Sequence, residues 1–415
     1  MRRILLALAA LALVQSASPP TRLSAQAGRA RDLGLDKAIG GTPGPLDAIT
    51  DVPGVEVGSV TLIRGAGKLQ VGKGPVRTGV TVVHPRGKAN NDPVFGAWFT
   101  LNGNGEMTGT TWLQEGGFLE GPIAITNTHS VGVVRDAILQ WQRDRPGMQP
   151  WGLPFVAETY DGFLNDINGF HVTAAHTLEA LDKAKGGVVP EEGAVGGGTG
   201  MMCHSFKGGI GTASRVLPKE QGGYTVGVLV QCNYGRRPDF RVAGVPVGLE
   251  ITDLMPCVAA RAPTEGVFGR TPPCADSAAR VGAREGDGAF REGMGSIIVV
   301  VGTDAPLLPH QLKRIATRVS LGIGRMGGAG DNGSGDIFLA FSTANPKASS
   351  DSATVPLTML SNPRISPLFR ATIQATEEAI LNALLGAVTV TGVDGHRAYA
   401  LPRDRLLAAM RKYGR

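Results

Sequence analysis

The sequence predicts an α+β fold built in layers, and three observations carry that prediction. Apolar, β-branched runs long enough for single buried strands, such as 225–232 and Ser296-Ile297-Ile298-Val299-Val300-Val301, are interspersed with amphipathic helical stretches. Strands and helices follow one another without regular βαβ alternation, which favours α+β layers over a doubly wound sheet. The 60 glycines fall largely as GG and GxG pairs between apolar runs, where turns belong. With 42% hydrophobic and 18% charged residues, the composition is glycine-rich and globular rather than disordered. A chain of 415 residues suffices for one large or two ordinary domains. No fixed-period repeat is visible.

Taken in order, residues 48–58 read as a short turn entering a strand, and 79–83 and 95–100 as strands. The second of these ends in Asn102-Gly103-Asn104-Gly105, which is turn chemistry. Residues 122–126 and 155–157 are strands. Helical periodicity covers 131–143, where Val133, Val134, Ile138 and Leu139 share a face, and 171–184. Residues 193–200 form a glycine-dense loop that lacks a Gly-Lys-Ser/Thr ending and the strand-GxGxxG-helix order, so it reads as a tight structural loop. Residues 256–294 are the most polar part and read as an exposed linker between two structured halves. Helices follow at 306–322, 367–385 and 402–411, strands at 336–341 and 387–391, and a second glycine-rich loop at 325–335.

Residues 1–27 read as an export signal: Arg2 and Arg3, an apolar stretch over 4–14, and an Ala25-Gln26-Ala27 cleavage site. The stretch is too short to anchor in a bilayer. Its removal takes away Arg2, Arg3 and Arg22 and no acid, lowering the net charge from +6 to +3. That charge implies neither a nucleic-acid partner nor an anionic membrane surface. The expected location is periplasmic or secreted, where disulfides are permitted. Cys257 and Cys274 bracket a loop and are the better pair; Cys203 and Cys232 lie in apolar or strand-like settings and read as buried thiols. The seven histidines show no metal spacing, so no catalytic metal and no cofactor are expected.

Candidate chemistry gathers at four places. Ser296 opens an apolar strand directly after Gly295; a cut between them would leave a hydroxyl nucleophile and a free amine on one residue. Ser334 and Asp336 stand two apart at the mouth of a strand, where a hydroxyl backed by a carboxylate can orient or relay a proton. Asn233 ends a strand and could offer an amide to a developing oxyanion. Glu158 and Tyr160, just past another strand, share a face in an extended segment and could receive an ammonium group. No G-x-S-x-G elbow occurs; Ser334 sits in Asn332-Gly333-Ser334-Gly335-Asp336.

Several segments together resemble one family: Ala48-Ile49-Thr50-Asp51-Val52-Pro53-Gly54-Val55, Ala157-Glu158-Thr159-Tyr160-Asp161-Gly162, Lys207-Gly208-Gly209-Ile210-Gly211-Thr212, Asn233-Tyr234-Gly235, Gly295-Ser296-Ile297-Ile298 and Gly333-Ser334-Gly335-Asp336-Ile337. They resemble the DmpA-type L-aminopeptidase/D-esterase/amidase and BapA-like β-aminopeptidase hydrolases over nearly the whole mature chain. The resemblance implies a four-layer α-β-β-α sandwich, similar in architecture to N-terminal-nucleophile hydrolases. It implies a precursor that cuts itself between Gly295 and Ser296 into an α chain, 28–295, and a β chain, 296–415, of one domain. It implies Ser296 as nucleophile, Asn233 in the oxyanion hole, Ser334 and Asp336 beside the nucleophile, and Glu158 and Tyr160 at the substrate amine and reacting centre. The implied substrates are short peptides, amides or esters with a free amine (L-α, D- or β-amino acyl), and the implied assembly is a homo-oligomer of αβ pairs. Two departures stand out: Asp336 occupies a place usually held by glutamate, and the 256–294 segment is long. The competing readings are a related self-processing acyltransferase and a non-enzymatic periplasmic binding protein.

Overall fold

A computed structural model describes residues 28–145, 151–260, 263–267, 269–275, 292–293 and 295–415; the expected leader, 1–27, and most of the 276–294 stretch lie outside the described residues. The strands are β1 (Glu56–Arg64), β2 (Val76–His84), β3 (Val94–Gly103), β4 (Phe118–Leu119), β5 (Ile123–Asn127), β6 (Phe155–Thr159), β7 (Met202–Cys203), β8 (Phe206–Lys207), β9 (Gly209–Val216), β10 (Thr225–Asn233), β11 (Cys257–Val258), β12 (Thr264–Gly266), β13 (Gly269–Thr271), β14 (Ser296–Thr303), β15 (Gly335–Ser342), β16 (Val390–Thr391) and β17 (His396–Ala398). The α-helices are α1 (Asp36–Ile39), α2 (Thr110–Gly116), α3 (Val131–Arg143), α4 (Ala174–Lys183), α5 (Val247–Glu250), α6 (Pro309–Arg325), α7 (Ser366–Leu385) and α8 (Arg403–Lys412).

Two sheets face each other, one ordered β1-β2-β5-β6 and the other β4-β3-β15-β14-β10-β9. Alternation along β14 shows how the layers form. Ile298 and Val300 point into the core between the sheets, where they meet Ile123, Ile125 and Phe155. Ile297, Val299 and Val301 point the other way, into a core shared with α6 and α7. A third core packs α3 and α4 on the outer face of the smaller sheet. The result is the four-layer α-β-β-α sandwich. Every residue of β14 is buried, which is why the strand reads as a continuous apolar run instead of an alternating one. Each fully buried aliphatic side chain in it contributes about 1.5–3 kcal/mol.

Two parallel pairs, β5 with β6 and β14 with β15, are the exceptions in otherwise antiparallel sheets, and each is bridged by a helix. The second crossover decides the chemistry. It brings the start of β15 beside the start of β14, with Ser296 opposite Gly335, while antiparallel β10 sets Asn233 opposite Ser296 on the other side.

Two expectations need correction. Cys203 and Cys232 are bonded to each other, with Cα atoms 5.6 Å apart. The β7–β8 hairpin folds Cys203 back onto the penultimate residue of β10, a juxtaposition that their apolar surroundings in the sequence conceal. The segment from 256 is also no simple linker at its start. Cys257 and Val258 are buried in β11, which pairs with β17 from the far end of the chain, and Cys257 is bonded to Cys274 as expected.

Candidate active site

Three strand ends converge on Ser296, which is 5% exposed in the uncut chain. Gly295 precedes it under tight steric control: a Cβ there would lie 1.9 Å from the carbonyl oxygen of Asn233. Gly335 is equally constrained, since its Cβ would fall 2.4 Å from the carbonyl oxygen of Asn104. Only glycine lets β15 approach this closely. The Gly335 N–H then donates to two acceptors, the carbonyl oxygen of Gly295 and Oγ of Ser296, each at 3.2 Å. One donor thus spans the carbonyl and the hydroxyl that flank the Gly295–Ser296 bond.

The residues on either side of Gly335 form the pair seen in the sequence. Ser334 Oγ donates to Asp336 Oδ1 at 2.6 Å, and both residues are buried. Burial pushes the Asp336 carboxyl up to about 6, against the opposing pull of the Ser334 hydrogen bond. Its other oxygen, Oδ2, is buried without a hydrogen-bond partner. A carboxyl in that state can take up and return a proton near neutral pH.

Asn233 is oriented without ambiguity. Its Oδ1 accepts from Met202 N at 2.7 Å and its Nδ2 donates to the carbonyl oxygen of Tyr160 at 3.0 Å. An amide nitrogen has two hydrogens, so the second remains for a ligand oxygen. Behind this arrangement, the buried Lys207 Nζ donates to the carbonyl oxygens of Gly198, Met201 and Gly208, fixing the loop that delivers Met202 N. Burial pulls Lys207 down to about 7.

Glu158, at the end of β6, is 3% exposed. Its Oε1 accepts from Glu106 N at 3.1 Å and its Oε2 from the Thr128 hydroxyl. Burial raises its pKa while these two donors lower it. A Cβ on Gly105 would lie 3.2 Å from Gly335 Cα and 3.3 Å from Glu158 Oε1, so the Glu158 carboxylate and Gly335, whose N–H faces Ser296 Oγ, flank one turn. The Tyr160 carbonyl holds Asn233, and its half-buried phenol stands over Gly162, where a Cβ would meet it at 2.3 Å. Burial, with a smaller push from Asp161, raises that phenol's pKa.

The sequence marks the turn after β3 as turn chemistry but assigns it no place in the site. Asn102 Nδ2 donates to the carbonyl oxygens of Gly330 and Asp331, and Asn104 Nδ2 to that of Gly333 at 2.8 Å. Two asparagines spaced i, i+2 thereby hold the loop that presents Ser334 and Gly335. Their spacing at a strand end was the available signal, but it matches an ordinary turn equally well.

The fold has solved counterparts. The chain matches a β-aminopeptidase from a Burkholderia species with TM-score 0.78 and 46% identity, covering 94% of this chain and 99% of that one. It matches the L-aminopeptidase D-Ala-esterase/amidase of Ochrobactrum anthropi, a prototype for the serine aminopeptidases and a variant of the Ntn hydrolase fold, with TM-score 0.79 and 42% identity over 93% of this chain and 99% of that one. The class is therefore that of the Ntn-hydrolase-type sandwiches. In sequence, the β-peptidyl aminopeptidase BapA of Sphingosinicella microcystinivorans is 54% identical over 394 residues, 94% of each chain. The model of peptidase family S58 matches residues 47–398, and the chain belongs to that family.

Proposed function

We propose that this chain is an aminopeptidase that first cuts itself. Ser296 Oγ attacks the carbonyl carbon of Gly295, the Gly295–Ser296 amide breaks, and the acyl group passes to Oγ as an ester while the Ser296 nitrogen leaves as a free amine. Water then hydrolyses the ester, giving chains 28–295 and 296–415. The observation that carries this reading is the Gly335 N–H, 3.2 Å from both the Gly295 oxygen and Ser296 Oγ, where it meets the charge that develops on that oxygen. The uncut chain has no amine on Ser296, so Ser334 and Asp336 serve as the proton relay for this step.

In the two-chain enzyme, Ser296 Oγ attacks the carbonyl of an N-terminal aminoacyl group in a peptide, amide or ester. The second Nδ2 hydrogen of Asn233 and the Gly335 N–H receive the oxyanion. The free amine of Ser296, with Ser334 and Asp336, carries the proton to the leaving group, and water releases the acyl group. Glu158 receives the substrate ammonium, two residues before Tyr160, whose carbonyl orients Asn233. Substrates with a β-amino acid at the amino terminus fit the names carried by two relatives, and L-α substrates that carried by a third. Two disulfides accord with export through the 1–27 leader.

Denaturing electrophoresis of the purified protein tests the reading. The wild type is expected to give two bands, with the smaller beginning Ser-Ile-Ile-Val-Val-Val. Ser296→Ala is expected to give one uncut chain and no amide hydrolysis; two chains from that variant would sink the proposal.

A further inference from the structure

Glu292 lies three positions before Gly295 and is held by two donors from one neighbourhood. Its Oε1 accepts from Arg237 N at 2.8 Å and from the Ser205 hydroxyl. Ser205 is presented by an unusual turn: His204 and Ser205, between β7 and β8, both have left-handed backbone angles, φ 48° and 58°. Neither is glycine, so the turn persists only where its surroundings impose it. Arg237 imposes it. Its buried guanidinium lies 3.2 Å over the Phe206 ring, its Nε donates to the His204 carbonyl at 2.9 Å, and one Nη donates to that of Ser205 at 2.8 Å. The Cys203–Cys232 disulfide fastens the same hairpin to β10, one residue before Asn233.

We propose that Glu292 is a positioning residue for self-cleavage, gripping the segment before the scissile bond through this clasp. The inference rests on the reading of Gly295–Ser296 as that bond. Gly335 N–H fixes the Gly295 carbonyl from one side, and it is a single donor. Further grip comes at Gly293, where a Cβ would lie 2.3 Å from Asp331 Oδ2, and Asp331 supplies the carbonyl that accepts from Ser334 N at 2.8 Å. A carboxylate held by a hydroxyl and a backbone N–H adds a charge-assisted anchor. Small misplacements of a reacting carbonyl cost large factors in rate. The clasp's two hydrogen bonds involve none of Glu158, Ser334 or Asp336.

The test follows cleavage of freshly made full-length precursor on denaturing gels. Glu292→Ala and Ser205→Ala are each expected to lengthen the precursor half-life about tenfold or more, the worth of a hydrogen bond to a charged group. Glu292→Gln keeps an acceptor oxygen for both donors and is expected to stay within about threefold of wild type. Once divided, the Glu292→Ala enzyme is expected to hydrolyse an aminoacyl amide with wild-type kcat/KM. Adding Glu292→Ala to the uncut Ser296→Ala chain is expected to leave its Tm unchanged. Wild-type cleavage speed in Glu292→Ala overturns the clasp, as does slow cleavage accompanied by a lowered Tm of the uncut chain, which marks a merely structural role. A wild type that never divides overturns the reading of the bond instead.

Discussion

The chain has two glycine-dense loops, 193–200 and 325–335, that look alike as composition and do opposite things in space. The first is sealed between the sheets. Every residue of its single 3-10 turn, Gly196–Gly200, is buried, and a Cβ on Gly197 would lie 2.2 Å from Gln231 Oε1 and 2.6 Å from the Ile125 carbonyl oxygen, one neighbour from each sheet. Its Gly198 carbonyl accepts from Lys207 and its Gly193 carbonyl from Ile210 N. The second loop is partly open until it reaches Ser334, and a Cβ on Gly330 would meet nothing closer than 3.5 Å. It ends in one glycine whose N–H faces the Gly295 carbonyl and Ser296 Oγ. Glycine richness in this fold therefore marks close approach. A site arises only where the close approach leaves a donor aimed at a reacting atom.

That contrast can be broken by substitution. In the second loop, Ser334→Ala and Asp336→Asn are expected to lower kcat/KM about 10²–10⁴-fold, the usual worth of a positioned proton-transfer group, with little change in Tm. Near-wild-type kcat/KM in both variants would show the pair to be a turn and nothing more. In the first loop, Gly197→Ala is expected to cost about 1–3 kcal/mol of stability, because backbone and a buried amide must move to admit the methyl group. The folded fraction should retain its kcat. Denaturant midpoints beside activity per folded molecule separate the two; lost kcat at unchanged midpoint would place the first loop in the chemistry after all.

Much of the fold was legible because its central elements are buried on both sides. The strand at 296–301 announces itself as an unbroken apolar run from Ile297 and that at 225–232 as a mostly apolar one, and the helix read at 131–143 matches Val131–Arg143. β9 escaped for the converse reason. It is built of Gly209, Gly211, Thr212, Ala213 and Ser214, small residues chosen for contact; a Cβ on Gly211 would lie 2.1 Å from the Ala379 carbonyl of α7. Such a strand carries little hydrophobic signal. In the site, Ser296, Asn233, Ser334 and Asp336 come together through strand pairing, and Glu158 lies across the Gly105 turn from Gly335. The supports did not show. Lys207 and the Cys203–Cys232 bond act through backbone carbonyls or through a hairpin fold-back, and neither leaves a spacing pattern to read, while the spacing of Asn102 and Asn104 reads as an ordinary turn.

The smallest expected effect sharpens the second loop's part in the proposed self-cleavage. In the proposed self-cleavage the Ser296 nitrogen is still a peptide nitrogen, so the proposed route for the Oγ proton runs through Ser334 to an ionised Asp336. Asp336 is pushed by burial up to about 6, from an ordinary 3.8. The cleavage rate of fresh precursor is therefore expected to rise several-fold as pH passes through about 6 and then level, and Asp336→Asn to remove that rise along with most of the rate. Stability must run the other way. The folded chain holds the Asp336 proton more tightly than the unfolded chain, so the group's favourable contribution is complete below the unfolded pKa and is lost as pH climbs through the folded one. Half-lives of the precursor and Tm values of the Ser296→Ala chain, taken between about pH 5 and 8, give both slopes. A cleavage rate flat across that window would remove Asp336 from the first cut and leave the loop only its Gly335 N–H.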